Sequence, residues 1–177
     1  FGDIRYAKEY IKNYKDVDNF EIYGNTNFGY QYITKTFPGQ IDFDISQIKI
    51  WSIDIETSTE NGFPDTRNPM EEMLLITIQD YNSKQIVSFG SKPFTQKQEN
   101  HKYIQCRDEY DLLKKFVAFV AEDPPHILTG WNIEFFDMPY IVNRIARILG
   151  EDYAKQLSPW NVVTQREFTR FNKTELA

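Results

Sequence analysis

The run Gln47–Glu56, QIKIWSIDIE, constrains this chain most. Isoleucine stands at 48, 50, 53 and 55 beside Trp51, a density of β-branched and aromatic side chains that suits a pleated strand. Its near-continuous apolar character predicts a strand buried on both faces. Two acids, Asp54 and Glu56, interrupt it. Residues i and i+2 share one face of a strand, so these carboxylates stand together with Cα atoms about 6.6 Å apart, while Ile53 and Ile55 point the other way into packing.

Adjacent carboxylates in a low-dielectric place repel one another and lose hydration. A hard divalent cation, Mg²⁺ or Mn²⁺, resolves the conflict. Two such ions about 3.5–4 Å apart activate a water and stabilise a leaving oxygen, as in nucleases. The plainer reading is a strand end whose acids meet water, and an Asp-x-Glu pattern is short enough to arise by chance.

Around this strand the sequence predicts an α/β sheet. Met73–Tyr81 and Gln85–Phe89 read as strands joined in a hairpin at Asn82-Ser83, followed by a short strand at Tyr103–Cys106. Asp108–Glu122 reads as a helix with Asp108 as cap and an apolar stripe of Leu112, Leu113, Phe116, Val117 and Val120; Pro124-Pro125 stops it. His126–Thr129 is a further short strand. Pro139–Leu149 is a helix with Ile141, Val142, Ile145, Ile148 and Leu149 inward and Gly150 as its stop. Hairpin, then helix, strand and helix suggest a crossover unit appended to an antiparallel start. Between Thr57 and Glu72 lies a loop marked by Gly62, Pro64 and Pro69.

Residues 1–45 differ in character, being polar, rich in Tyr and Phe and poor in aliphatic side chains. Asp3–Tyr14 reads as a helix with Ile4, Ala7 and Ile11 on one face, and Phe20–Tyr23 as a short strand. Asn27–Phe37 suits either helix or strand. This part reads as the tail of a preceding domain, with a second unit over 46–177. The segment beyond Glu151 turns polar and is not assigned.

Composition narrows the function classes. With 177 residues and 41% hydrophobic content the chain can bury a core. Nothing resembles a signal peptide, and no apolar run approaches the length of a membrane span. The lone Cys106 cannot form an internal disulfide, which fits a reducing compartment. A net charge of −6 argues against a large basic nucleic-acid surface, though an enzyme gripping a strand end needs acids at its centre. Phe stands first where Met would begin a complete chain, which reads as an excised domain or processed piece.

A third acid bears on the first two. In TGWNIEFFDMPYIVNRI, Asp137 precedes Met138-Pro139. It reads as an N-cap, and a capping acid can still offer an oxygen to a metal. Sites of open α/β sheets lie beyond the carboxyl ends of strands, where Asp54, Glu56 and Asp137 could meet.

SIDIET and GWNIEFFDMPYIVNRI resemble the first two exonuclease motifs of family B DNA polymerases, most of all those of T-even-type bacteriophages and their relatives. Asp54 and Glu56 match the family's Asp-x-Glu; Asn132, Phe136 and Asp137 match its Asn-x-x-x-Phe/Tyr-Asp. The flanks agree over about Phe20–Ser158. The resemblance implies a ribonuclease H-like (RNase H-like) fold, a mixed sheet with flanking helices. It implies removal of mismatched nucleotides from a single-stranded DNA 3′ end with two Mg²⁺ ions, for which Mn²⁺ can substitute. By position, Asp54, Glu56 and Asp137 would be catalytic and bind metal, with Asp54 bridging both ions. Asn132 and Phe136 would meet the strand end, Thr57 would present its backbone near the 3′-hydroxyl, and Phe63 would stack on terminal bases. Without the resemblance, Phe63 reads equally as a packed loop aromatic and Asn132 as a turn residue. Partners would be the DNA end and the rest of the polymerase chain, with no membrane, in the cytoplasm of an infected bacterial host. The family's third motif, Tyr-x-x-x-Asp, does not occur in the late segment WNVVTQREFTRFNKTELA. That suggests a fold truncated at its carboxyl end, and a fragment that binds metal weakly and cuts slowly or not at all. The competing readings are a stand-alone or split nuclease, and a non-catalytic DNA- or protein-binding module with this fold.

Overall fold

A computed structural model describes residues 3–22, 27–95, 97–170 and 173–176. It divides into two compact units, Phe1–Asp44 and Ile45–Ala177.

In the first unit, helix α1 spans Ile4–Tyr14, opened by Asp3, whose side chain accepts the Arg5 amide at 2.7 Å. Ala7 is buried and Ile11 half-buried, as the periodicity predicts. Phe20–Ile22 is not a strand, and Tyr23 lies outside the described residues. Phe20 instead packs its ring against Tyr14, centroids 5.3 Å apart, so the chain turns back on the end of α1. Helix α2 spans Phe28–Thr36, which settles the ambiguous stretch. Asn27 caps it, its side chain accepting from Gly29 and Tyr30.

The second unit is built on a five-stranded mixed sheet: β1 (Ile50–Thr57), β2 (Met73–Asp80), β3 (Ile86–Gly90), β4 (His101–Gln105) and β5 (Ile127–Thr129). Their spatial order is β4-β3-β2-β1-β5. β1, β2 and β3 pair antiparallel, while β4 and β5 lie parallel to β3 and β1 at the two edges. β1 begins at Ile50, later than Gln47, because Ile45–Gln47 forms a 3₁₀ turn. Asn82, in the β2–β3 turn, ties this entry down by donating to the Ser46 and Ile48 carbonyls.

Helices α3 (Glu109–Glu122) and α4 (Asp137–Leu149) pack on one face of the sheet. The predicted stripe of α3 is buried throughout. On α4, Ile141 and Ile145 are buried and Val142, Ile148 and Leu149 half-buried. They enclose a core with Trp51, Ile53, Ile55, Ile76, Ile78 and Phe89. Gly150 ends α4 at φ 102°, and α5 (Glu151–Lys155) follows directly. A hairpin of β6 (Glu167–Arg170) and β7 (Lys173–Leu176) forms a separate two-stranded sheet in the segment the sequence left unassigned.

The expectation that β1 is buried on both faces is corrected. Trp51, Ile53 and Ile55 are buried, and Ser52, Asp54 and Glu56 between them are exposed. This is period-2 alternation, the mark of a strand with one covered face. Ser52 and the two acids supply the polar positions that a reading weighted by isoleucine count overlooks.

Candidate active site

The site follows from the shortness of β5. This strand pairs with β1 only as far as Ser52–Thr129, so the same edge of β1 is open from Ile53 onward. Two groups fill the gap. Gly130 lies against the Ile53 carbonyl so closely that an added Cβ would sit 2.5 Å from that oxygen. Further along, the Asp137 carboxylate comes close enough to the Ile55 amide for that N–H to favour its charged form. The intervening chain makes a tight turn: the Phe135 and Phe136 amides both donate to the Asn132 carbonyl at 3.0 Å, and Asn132 itself takes φ 56°. Asn tolerates that left-handed conformation better than most residues.

Asp137 is not the cap of α4. It is the first helical residue, and Phe136 holds the cap position without a side-chain cap bond. The Asp137 side chain is therefore free to face β1, and the residue is only 4% exposed. Burial raises its carboxyl above the ordinary range, and the nearby Asp54 carboxylate raises it further, against the pull of its own and the Ile55 amides. The carboxylate in a low-dielectric position is thus Asp137. Asp54 and Glu56, assigned to such a place by the sequence reading, are exposed.

Asp54 and Asp137 open onto a cavity of about 900 Å³. Its walls include Phe63, Pro64, Asp65, Asn132 and Phe136. Phe63 is 87% exposed, its ring 5.7 Å from that of Phe136, which in turn lies 5.8 Å from Tyr140. The structure thus brings together Asp54, Asp137, Asn132, Phe136 and Phe63. Glu56 and Thr57 stand at the end of β1, where the register with β2 shifts between them, and do not line the cavity.

Among the described residues no three His, Cys, Asp or Glu side chains converge to hold a metal ion. The pair Asp54–Asp137 still fits a hard cation by its chemistry. Mg²⁺ retains waters and is commonly held by one or two carboxylates together with substrate phosphates. A metal between the two would also relieve the repulsion that raises Asp137.

Several residues of the site are absent from the sequence reading. Asp65 and Trp131 line the cavity, Trp131 at 92% exposure. Behind it, Arg144 forms a buried fork with Glu109, Nε and Nη2 each 2.6 Å from a carboxylate oxygen. An exposed aromatic has no periodic signature, but Arg144 left one: a charged residue beside the apolar positions of α4. A second cavity, about 490 Å³, lies along α4 among Leu128, Ile133, Met138, Val142 and Val163. Its lining is mostly apolar, with Glu134, Ser158, Thr164 and Gln165 as its polar members and no pair of acids.

Fold and site define an α/β domain whose acids and aromatic rings meet at the carboxyl end of a central strand. The family model for the exonuclease domain of DNA polymerase family B matches residues 12–176. The DNA-directed DNA polymerase of Escherichia phage RB69 is 30% identical over 184 aligned residues, covering 90% of this chain. That of Enterobacteria phage T4 is 28% identical over the same share. The DNA polymerase catalytic subunit of Human herpesvirus 7 is 32% identical over 103 residues, 55% of this chain and 10% of that protein. The chain belongs to the exonuclease-domain family of family B DNA polymerases. It spans 20% of the length of the two phage relatives. No helix among the described residues is long and apolar enough to cross a membrane.

Proposed function

We propose that this chain hydrolyses, or helps a larger polymerase to hydrolyse, the terminal phosphodiester at a single-stranded DNA 3′ end. The observation that carries the reading is one cavity shared by Asp54 and Asp137 and walled by Phe63 and Phe136. Acids alone would suit many cations, and rings alone would suit many ligands. Together they suit a nucleotide, whose phosphate needs a cation and whose base stacks on an aromatic face.

The roles follow from placement. Asp54 and Asp137 would hold Mg²⁺, or Mn²⁺ in its stead, which when bound activates a water and offsets charge on the leaving oxygen. Asn132 offers amide donors and acceptors at the cavity wall to the strand end. Phe63 and Phe136 stack terminal bases without regard to sequence. Glu56 and Thr57, which follow Asp54 at the end of β1, would complete the site. The mixed sheet and its helices support an RNase H-like fold. On this reading residues 46–177 are part of the proofreading exonuclease domain and 1–45 the end of the polymerase's N-terminal domain. The remaining partners would be DNA and the rest of a polymerase, in the cytoplasm of an infected bacterium.

Among the described residues no three acids converge on one metal position, which favours one further reading, a module that binds DNA ends without cutting them. The test is a 3′-labelled oligonucleotide incubated with this chain and Mn²⁺. We expect binding that weakens in Asp54→Ala, with slow cleavage or none. DNA affinity indifferent to Asp54→Ala, Asp137→Ala and Mn²⁺ would overturn the nuclease reading and leave the binding module.

A further inference from the structure

Tyr140, Asn143, Arg144 and Arg147 stand at i, i+3, i+4 and i+7, one stripe along α4. Each reaches the loop between β1 and β2. Asn143 donates to the Thr66 carbonyl at 2.8 Å, and Arg147 to Asn68 Oδ1 at 3.3 Å. Arg144 Nη1 donates to the carbonyls of Pro69 and Met70 at 2.8 and 3.0 Å. The Tyr140 hydroxyl donates to the Glu71 carbonyl at 2.6 Å. The other arm of Arg144 is held by Glu109 on α3, and Glu109 Oε1 also accepts the Met73 amide at 2.7 Å, where β2 begins.

This loop carries Phe63, Pro64, Asp65 and Thr66 into the wall of the acid cavity. It has no helix or strand of its own. A loop of that length wanders unless its backbone is tied down. The ties come from the helix whose first residue is Asp137, so one rigid element sets both the acid and the opposite wall.

We infer that the α4 stripe is a positioning device, in which Asn143 and Arg144 act through the Thr66–Glu71 backbone to hold Phe63 at a fixed distance from Asp137. It rests on the reading of the cavity as a DNA-end site. The stripe residues reach loop backbone and side chain rather than the cavity itself, and their effect on the strand end passes through the loop.

The test is a mutant cycle read by anisotropy of a labelled oligothymidylate with a free 3′-hydroxyl, in Ca²⁺ to hold off cleavage. Asn143→Ala removes one tie from a half-buried position and should weaken binding roughly three- to tenfold. In a Phe63→Ala background the same change should cost less than about twofold, because the residue acts through that ring. Arg144→Lys keeps a charge opposite Glu109 and gives up the fork, and should repeat the pattern while the chain stays folded. A loss of equal factor with and without Phe63 would overturn the inference. So would thermal destabilisation by both variants with affinity unchanged, the signature of a merely structural role. Binding that depends on Phe63 and Asp54 but ignores the stripe removes this inference alone. No binding, or binding indifferent to Asp54 and Phe63, removes the functional reading with it.

Discussion

Gly130→Ala is the most exacting perturbation of this fold. The glycine lies where β5 ends and the turn toward Asp137 begins, and an added Cβ would meet the Ile53 carbonyl oxygen at 2.5 Å. That oxygen belongs to backbone paired with β2, so it cannot swing aside as a side chain would. Either β1 bends or the turn retreats, and the turn is the softer of the two because β5 has only three residues. Overpacking of this kind costs about 1–3 kcal/mol. For a domain of this size that is roughly 2–12 °C in Tm. Gly39→Ala is the control: an added Cβ there meets nothing within 4 Å, and the change should be neutral or slightly stabilising. Urea unfolding of both variants gives the comparison. If Gly130→Ala loses less than about 0.5 kcal/mol, the close approach is not a constraint and the argument from the open edge of β1 fails. The turn also leads to Asn132 and Asp137, so metal or DNA binding should fall by more than the stability change alone accounts for.

Three other outcomes follow from the same structure. Arg144→Met strands a half-buried Glu109 and two loop carbonyls, and should cost about 3–5 kcal/mol in chemical denaturation. Adding Glu109→Leu should restore only part of this, because the Met73 amide and those carbonyls stay unsatisfied. Stability should also fall in acid. The Lys115 ammonium and then the Arg107 amide hold the Asp111 carboxyl well below the carboxylate range, and the Ser83 amide lowers that of Asp80. A depressed carboxyl stabilises the fold above its unfolded value, near about 4, and that contribution drains away as pH drops through the folded value. The urea midpoint should therefore decline below about pH 4, less steeply in Asp111→Asn. Asn132→Ala, which puts alanine at φ 56°, should cost about 1–2 kcal/mol, checked in the same denaturation series.

Much of the architecture was legible because it rests on periodicity. The α3 stripe, the β2–β3 hairpin and the inward isoleucines of α4 follow from spacing alone, and the structure bears them out. The readings that failed needed a partner the sequence does not display. Phe20 has strand-like neighbours, but its ring finds Tyr14 instead. The isoleucines of β1 suggest two buried faces, yet burial is decided by where α3 and α4 lie. Asp137 was visible as an acid before a Met-Pro helix start. Its burial was not, since that depends on β5 stopping three residues after it starts. The Glu109–Arg144 fork joins residues 35 positions apart, and no local pattern links them.

The central claim is that Asp54 and Asp137 form one cation site. It is tested most directly by calorimetric titration of Mn²⁺ into this chain beside Asp54→Ala and Asp137→Ala. The account predicts weak binding to the unaltered chain that disappears in both variants. Binding that survives both substitutions, or that is absent from all three proteins, would contradict it.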